Sequence, residues 1–237
     1  MLLEGKNITK KFGGLTALSN LSFGIEEGSV TTLIGPNGSG KTTLFNVISG
    51  IYSPTSGSII FEGKEIAGLR PSKITHLGIG RTFQTPRLYE DFTALRNVVS
   101  GALFGRGQMA NMKKAEETAL GLLEFVGLEG RENIMARNLL APEKKLLEIA
   151  RALATEPKFL LLDECFAGLN ESEVKKGINI ISMIRERGIT IFLIEHIMKV
   201  AMEIAEKAIV IHHGSEISEG KPEEVARDPK VIEAYLG

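Results

Sequence analysis

Apolar residues in the first part of the chain follow the spacing of β-strands. Residues 2 to 34 are predicted to form strands separated by turns, with partial alternation over residues 18 to 25. Val30–Ile34 is a short β-rich run that stops at Gly35, and a helix is predicted to begin near Lys41. This pattern predicts an N-terminal antiparallel β portion followed by a strand, a glycine-containing loop and a helix.

The pattern changes to helical spacing from about residue 93 to residue 155. Two helices are predicted in this stretch, Met112–Phe125 and residues 143 to 153. Gly127 and Gly130 lie between them and are expected to act as helix breakers. No internal repeat and no linker rich in Pro or Ser interrupts the chain. We therefore interpret the helical stretch as a subdomain inserted into a single domain.

Two continuous apolar runs follow, at residues 159 to 162 and 189 to 194, and each ends in an acidic residue. They alternate with predicted helices at residues 171 to 187 and 197 to 205. Continuous runs are typical of strands buried on both faces of a mainly parallel sheet, so we predict an α/β fold. The predicted domain spans residues 1 to 237, with a core of residues 1 to 92 and 156 to 237 and a helical subdomain of about residues 93 to 155.

Composition excludes several classes of function. Lys and Arg number 28 against 29 Asp and Glu, so no strong net charge draws the chain to nucleic acid or to an acidic membrane surface. The single Cys165 excludes an internal disulfide, and no spaced Cys/His set offers a zinc site, which suits a reducing cytosol and metal held by oxygen. Because no signal peptide or membrane-spanning apolar stretch is found, we expect the chain not to enter the bilayer.

The strongest chemical signal is a glycine-rich stretch between the predicted strand and the predicted helix, which matches the P-loop pattern. Its residues are Gly35, Pro36, Asn37, Gly38, Ser39, Gly40, Lys41, Thr42 and Thr43. Glycines let backbone N–H groups turn towards phosphates, and the N-terminus of the following helix adds positive potential. Lys41 is expected to reach the terminal phosphates, and the Thr42 hydroxyl is expected to ligate Mg²⁺. The alternative is an ordinary glycine-rich turn.

The second signal is a pair of acids, Asp163 and Glu164, directly after the apolar run at residues 159 to 162. Ligands of open α/β sheets bind beyond the carboxyl ends of the strands. Asp163 is expected to hold Mg²⁺, directly or through water, and Glu164 is expected to orient and polarise an attacking water. A solvated acidic turn is the alternative for this pair alone, and the P-loop in the same chain argues against it.

The whole chain resembles the ATP-binding subunits of ABC transporters, with a P-loop NTPase core. The resemblance implies that Gln84 contacts Mg²⁺ and the membrane partner and that His196 senses the γ-phosphate beside the catalytic Lys41 and Glu164. It also implies a loop at residues 167 to 170 that crosses to a second subunit. Phe12 resembles the aromatic residue that stacks on adenine.

The same resemblance implies cofactors, partners and a location. The cofactors are ATP and Mg²⁺, with Thr42, Gln84 and Asp163 as metal ligands. The chain would pair head to tail with a second ATPase subunit, as a homodimer or a heterodimer, beneath transmembrane permease subunits. It would lie at the cytoplasmic face of the inner or plasma membrane and would work indirectly with a solute-binding protein. No nucleic-acid partner is expected. ATP would close the two ATPase subunits, and hydrolysis would reopen them.

Two short stretches resemble one group within this family, the ATPases of branched-chain amino-acid importers. They are residues 81 to 86, Arg-Thr-Phe-Gln-Thr-Pro, and residues 231 to 237, Val-Ile-Glu-Ala-Tyr-Leu-Gly. ATPases of urea and amide importers are close relatives and stay open as alternatives. The ATPase of lipopolysaccharide export has a similar C-terminal end and a weaker match around Gln84.

The chain departs from the family where a Leu-Ser-Gly-Gly-Gln motif opens a helix and clasps the γ-phosphate held by the opposite subunit. The aligned residues here are Leu139, Leu140, Ala141, Pro142 and Glu143. Leu140 has no hydroxyl, Pro142 has no N–H, and Glu143 brings negative charge towards a phosphate. Pro142 still suits the first turn of a helix. We therefore predict a helix that binds phosphate poorly, and we also note Cys165 where the family usually has proline.

Two rival functions follow from these observations. A small-molecule kinase shares the P-loop, but Gln84, His196 and the segment at residues 167 to 170 argue for hydrolysis. An inactive or weakly hydrolysing nucleotide-binding clamp is motivated by the altered clasp, while Lys41 and Glu164 argue for activity. We predict an asymmetric heterodimer, in which Glu164 performs most of the hydrolysis and the partner's site mainly holds nucleotide.

Overall fold

A computed structural model describes residues 1 to 195 and 198 to 236. Its strands are β1 (Leu3–Phe12), β2 (Leu15–Ile25), β3 (Val30–Ile34), β4 (Ser56–Phe61), β5 (Lys64–Glu65), β6 (Ile79–Arg81), β7 (Phe159–Asp163), β8 (Thr190–Ile194), β9 (Lys207–His212) and β10 (Ser215–Gly220). Its α-helices are α1 (Lys41–Ile48), α2 (Pro71–Leu77), α3 (Ala94–Phe104), α4 (Met112–Phe125), α5 (Ala141–Leu153), α6 (Glu171–Glu186), α7 (Met198–Ile204), α8 (Pro222–Val225) and α9 (Pro229–Leu236). The chain forms two compact units, Met1–Ile74 with Arg187–Gly237, and Thr75–Glu186, and each is described by itself.

The first unit begins with an antiparallel sheet of strand order β2-β1-β4-β5. β1 and β2 form a hairpin across Gly13, whose φ of 56° carries no steric cost in glycine. Leu3, Ile8 and Leu18 are fully buried, and the removal of such side chains from water stabilises the sheet. The predicted N-terminal antiparallel portion is confirmed.

The second sheet of this unit places β3 between β8 and β9, parallel to both, with β10 antiparallel to β9. Every residue of β3 and β8 is buried, which explains why apolar residues predominate in both strands. Phe192 of β8 packs on Phe45 of α1, with ring centroids 5.2 Å apart. This contact holds the helix that follows the glycine-rich loop against the sheet.

The C-terminal helices pack in the same apolar cluster as Ile34, the residue that precedes the glycine-rich loop. The cluster consists of Ile34, Ala201, Ala208, Val210, Val225 and Val231. Burial raises the pKa of the Tyr235 phenol in α9, and a hydrogen bond with the backbone of Gly35 opposes this rise. The last two helices therefore support the base of the loop.

In the second unit, β6 runs parallel to β7, and α3 packs against α4 and α5. The Thr93 side chain caps α3 by accepting the backbone N–H of Arg96. Asn97, fully buried in α3, accepts the N–H of Tyr89 and donates to its carbonyl, which ties the preceding loop to the helix. Between residues 93 and 155, all of them described, the elements are helical apart from a single bridge between Thr93 and Met135.

These elements confirm the predicted fold class, a P-loop α/β core with an antiparallel β portion and a helical part. α4 ends at Phe125, before the predicted breaker Gly127. The residue limits of the helical subdomain stay a prediction. None of the helices in residues 1 to 195 and 198 to 236 has the length and apolar character needed to cross a membrane.

Candidate functional site

The glycine-rich loop belongs to the first unit, where it joins β3 to α1. Gly35 and Gly40 have φ angles of 156° and 108°. A Cβ atom at Gly35 would lie 2.2 Å from the Ile211 carbonyl oxygen, and one at Gly40 would lie 2.6 Å from the Ala17 carbonyl oxygen. Because no side chain fits at either position, only glycine allows the tight curve of this loop. The other loop residues outside the buried Ser39 and Lys41 are partly or fully exposed: Pro36, Asn37, Gly38, Thr42 and Thr43.

The polar groups of this loop suit an anionic ligand. Lys41 is 5% exposed, and its ammonium donates to the carbonyl oxygens of Gly35 (2.7 Å) and Pro36 (2.9 Å). The Ser39 hydroxyl is buried and has no hydrogen-bond partner among the residues that the structure describes. Since such a group costs free energy when left unsatisfied, a phosphate oxygen at this place would stabilise the loop. Thr42, exposed in the first turn of α1, presents a hydroxyl suited to a cation.

Phe12, the predicted adenine-stacking residue, ends β1 and is 40% exposed. Its ring packs edge-on against Tyr52, with centroids 5.2 Å apart. The Lys10 ammonium lies 4.9 Å from the Phe12 centroid and donates to the Ser53 carbonyl. An accessible ring held by two neighbours is well suited to stack on a planar base.

Asp163 ends β7 in the second unit and is 2% exposed. Its carboxylate pairs with Arg81 of β6 at 3.2 Å, and its backbone N–H donates to the Thr82 hydroxyl. Burial lowers the pKa of Arg81, and the attraction of Asp163 opposes that effect. A carboxylate oriented by a neighbour in this way suits the binding of a metal ion.

Glu164 follows Asp163 with a φ of 48°, a value that residues other than glycine rarely adopt. Its carboxylate accepts a hydrogen bond from the Gln84 amide, with 2.6 Å between Nε2 and Oε2. The structure thus brings together two predicted site residues that are distant in sequence. Such backbone strain persists only where the surroundings hold it, and it is common at functional sites.

The N-terminus of α5 is the segment that departs from the family pattern. The helix begins at Ala141 and has Pro142 in its first turn, as predicted. Leu140 is 68% exposed. The Glu143 carboxylate accepts the backbone N–H of Leu140 (2.8 Å) and the Nε of Arg131 (2.9 Å). A carboxylate of the chain itself therefore occupies the end of the helix at which anions bind.

The two units divide the predicted site residues. The P-loop and Phe12 lie in the first unit, and Gln84, Asp163 and Glu164 lie in the second. His196, the predicted switch histidine, lies outside the described residues. Four further residues, to which the sequence pattern assigns no role, contact a predicted site residue or its loop: Tyr52, Arg81, Lys145 and Glu148.

Comparison with known proteins decides the family. A family model described as ABC transporter matches residues 18–167 of the chain. The chain belongs to the ABC transporter ATPases. A second model, described as branched-chain amino acid ATP-binding cassette transporter, matches residues 216–237. Members of this family hydrolyse ATP to power transport, so this ABC ATPase is an enzyme.

Full-length relatives agree with this assignment. The high-affinity branched-chain amino acid transport ATP-binding protein BraF of Pseudomonas aeruginosa is 39% identical over 249 residues, covering 100% of this chain and 98% of BraF. The ADP conformation of an ATP-binding cassette of an ABC transporter superposes with a TM-score of 0.89 at 35% identity, covering 100% of this chain and 98% of that one. A dimeric post-hydrolysis cassette bound to ADP and Pi superposes with a TM-score of 0.85 at 30% identity. The match covers 93% of this chain and 99% of that one.

Proposed function

We propose that this ABC ATPase powers the import of branched-chain amino acids. The observation that carries the proposal is the match of residues 216–237 to the branched-chain amino acid transporter model. The full-length similarity to BraF supports it. Within the chain, the matched segment includes α9, whose Tyr235 contacts the Gly35 backbone of the P-loop. The segment that carries the likeness therefore belongs to the nucleotide-binding unit.

Uptake into vesicles tests this proposal. The chain would be co-purified with its permease subunits and second ATPase, reconstituted into liposomes, and supplied with ATP and the solute-binding protein. We expect ATP-dependent uptake of labelled leucine, isoleucine and valine, and no uptake of urea or acetamide. Uptake of urea or acetamide without uptake of leucine would assign the transporter to the related group.

We propose that the P-loop binds the phosphates of ATP and that Phe12 stacks on adenine. Lys41 supplies positive charge to the terminal phosphates, and the buried Ser39 hydroxyl gains a phosphate partner. Thr42, Gln84 and Asp163 are the residues proposed to hold Mg²⁺. Mg²⁺ prefers such oxygen ligands, and when bound it neutralises charge on the phosphates.

In the proposed reaction, Glu164 orients a water molecule for in-line attack on the γ-phosphate. The Gln84 amide hydrogen bond supports this role, because it limits the directions in which the Glu164 carboxylate points. Lys41 and the loop amides stabilise the charge that develops on the phosphate oxygens. His196 is proposed, from the family resemblance, to sense the γ-phosphate.

We propose that the ATPase works head to tail with a second ATPase subunit beneath permease subunits, at the cytoplasmic face of the membrane. The dimeric cassette with ADP and Pi is a solved precedent for such pairing. A solute-binding protein would deliver the amino acid to the permease from the other side. The near balance of acidic and basic residues gives no electrostatic reason to expect a nucleic-acid partner.

An apolar groove in the second unit is the surface at which we propose that the permease binds. It is lined by Phe92, by residues of α3 and by Met112, and Phe92 lies within the segment of residues 84 to 95 that we expect to form part of this surface. Phe104 is 75% exposed and Met112 is 53% exposed, and Arg96 and Glu116 add charges of both signs. A short amphipathic helix from the permease matches an apolar groove with a polar rim.

Phe104→Asp is expected to abolish co-purification with the permease and to leave ATP binding by the purified chain unchanged. The new carboxylate would be buried without a partner at the centre of the interface, which weakens binding by about 2 kcal/mol or more. Leu120→Asp on α4 is the matched control, because Leu120 is 44% exposed and does not line the groove. Normal co-purification of the Phe104 variant would place the permease elsewhere.

A further inference from the structure

Helix α5 holds the turn that contains Glu164 through the side chain of Lys145. The Lys145 ammonium donates to the carbonyl oxygens of Glu164 (3.1 Å) and Ala167 (2.6 Å). Both carbonyls belong to the turn in which Glu164 has its positive φ. Backbone strain of this kind costs about 1–3 kcal/mol and needs support from its surroundings. Lys145 supplies such support from a different element of the same unit.

One turn further along the same helix, Glu148 holds the loop that carries Gln84. Glu148 is 2% exposed, and its carboxylate accepts the backbone N–H groups of Phe83 (3.0 Å) and Arg87 (2.8 Å). Burial raises the pKa of Glu148, and these two N–H groups oppose the rise. The two bonded positions lie on either side of Gln84, so the loop is fixed at both ends.

These contacts close a ring of polar bonds. Lys145 and Glu148 are three residues apart on α5, a spacing that places side chains on one side of a helix. One reaches the Glu164 turn, the other reaches the Gln84 loop, and the Gln84 amide bonds to the Glu164 carboxylate. A network with two anchored ends restricts the position of its middle member more than any one bond does.

We propose that Lys145 and Glu148 are positioning residues for ATP hydrolysis. Lys145 sets the backbone of Glu164, and Glu148 sets the loop from which Gln84 reaches the Glu164 carboxylate. The proposal rests on the proposed role of Glu164 as the group that orients the attacking water. The bonds of both residues go to backbone groups outside the P-loop, so we expect both to act on the hydrolytic step more than on ATP binding.

Phosphate release by the transporter assembled with its second ATPase and permease subunits, measured across MgATP concentrations, tests the role of Lys145. Lys145→Met keeps the length of the side chain and removes its donors, so we expect kcat to fall about ten-fold or more with KM for ATP unchanged. Lys145→Arg, which can donate to both carbonyls, is expected to recover most of that loss. Lys144→Met is the matched control, because Lys144 pairs only weakly with Glu90, at 3.7 Å, on the surface.

Glu148→Gln tests the other half of the ring, with Glu117→Gln on the exposed side of α4 as control. Gln keeps one acceptor oxygen, so we expect a smaller fall in kcat, about three-fold or more, at constant KM. Wild-type kcat in Lys145→Met would overturn the proposal. The proposal would also fail if kcat, KM and the unfolding temperature all changed together in Lys145→Met and in Glu148→Gln, as for a purely structural role. If Lys145→Met and Glu164→Gln both kept full turnover, the proposed role of Glu164 would fail together with the positioning roles. If Glu164→Gln were inactive while Lys145→Met kept full turnover, only the positioning roles would fail.

Discussion

Glu164→Gln is expected to leave ATP bound and to slow its hydrolysis by about 10²–10⁴-fold, the range over which a positioned general base contributes. The substitution is conservative in shape. The Gln84 amide, 2.6 Å from Oε2, can still donate to the remaining carbonyl oxygen of the new side chain. What is lost is the negative charge that polarises water. The effect should therefore fall on kcat, with the affinity for nucleotide unchanged.

Two measurements on the same protein separate binding from chemistry. A fluorescent ATP analogue reports the dissociation constant, and phosphate release reports turnover. Lys41→Ala is the contrasting variant, because it removes a cation from the P-loop; we expect affinity to fall about ten- to hundred-fold, as for the loss of a charge-assisted hydrogen bond. Glu171→Gln, at the exposed start of α6, is the control for charge alone. Normal turnover by Glu164→Gln would remove Glu164 from the reaction.

The P-loop could be predicted because its chemistry lies in consecutive residues. A strand, a set of glycines, a lysine and a helix follow one another, and the spacing itself is the signal. The buried strands β3 and β8 were also predictable, since the β-rich run of β3 and the apolar run of β8 need no partner to be recognised. β10 was not, because its sequence Ser-Glu-Ile-Ser-Glu-Gly has a single apolar residue, and it is a strand through its pairing with β9.

The contacts within the site were harder to predict because they depend on how distant segments pack. Asp163 meets Arg81 only through the parallel register of β6 and β7. Glu148 gives a faint local signal, an acid between the apolar Leu147 and Ile149, and a buried carboxylate needs partners. Which N–H groups those partners are depends on the position of α5 against the loop at residues 83 to 87. A single sequence carries no direct record of that position.

The second large effect that we expect comes from the altered clasp, which would make the transporter asymmetric. If the subunits pair head to tail, the N-terminus of α5 faces the ATP held by the partner, and the partner's clasp completes the ATP held by this chain. The α5 end carries Glu143, which bonds to the Leu140 N–H and to Arg131. A like-charge contact near 4 Å costs about 1 kcal/mol in water and about 4 at an effective dielectric of 20, more than the roughly 0.3–1 kcal/mol that a helix terminus offers. The partner's ATP should therefore be clasped poorly.

Glutamate-to-glutamine variants made in one ATPase subunit at a time, in a transporter whose partner carries the full clasp, measure the asymmetry. Glu164→Gln in this chain is expected to lower transport-coupled hydrolysis by about 10²-fold or more, while the same change in the partner lowers it by less than about two-fold. The chain alone should bind ATP and hydrolyse it slowly. Replacing residues 140 to 143 by Ser, Gly, Gly and Gln should raise that rate, because it removes the Glu143 carboxylate and restores an N–H at position 142. Equal losses from the two single-subunit variants would show that both sites hydrolyse, and the altered clasp would then have no catalytic consequence.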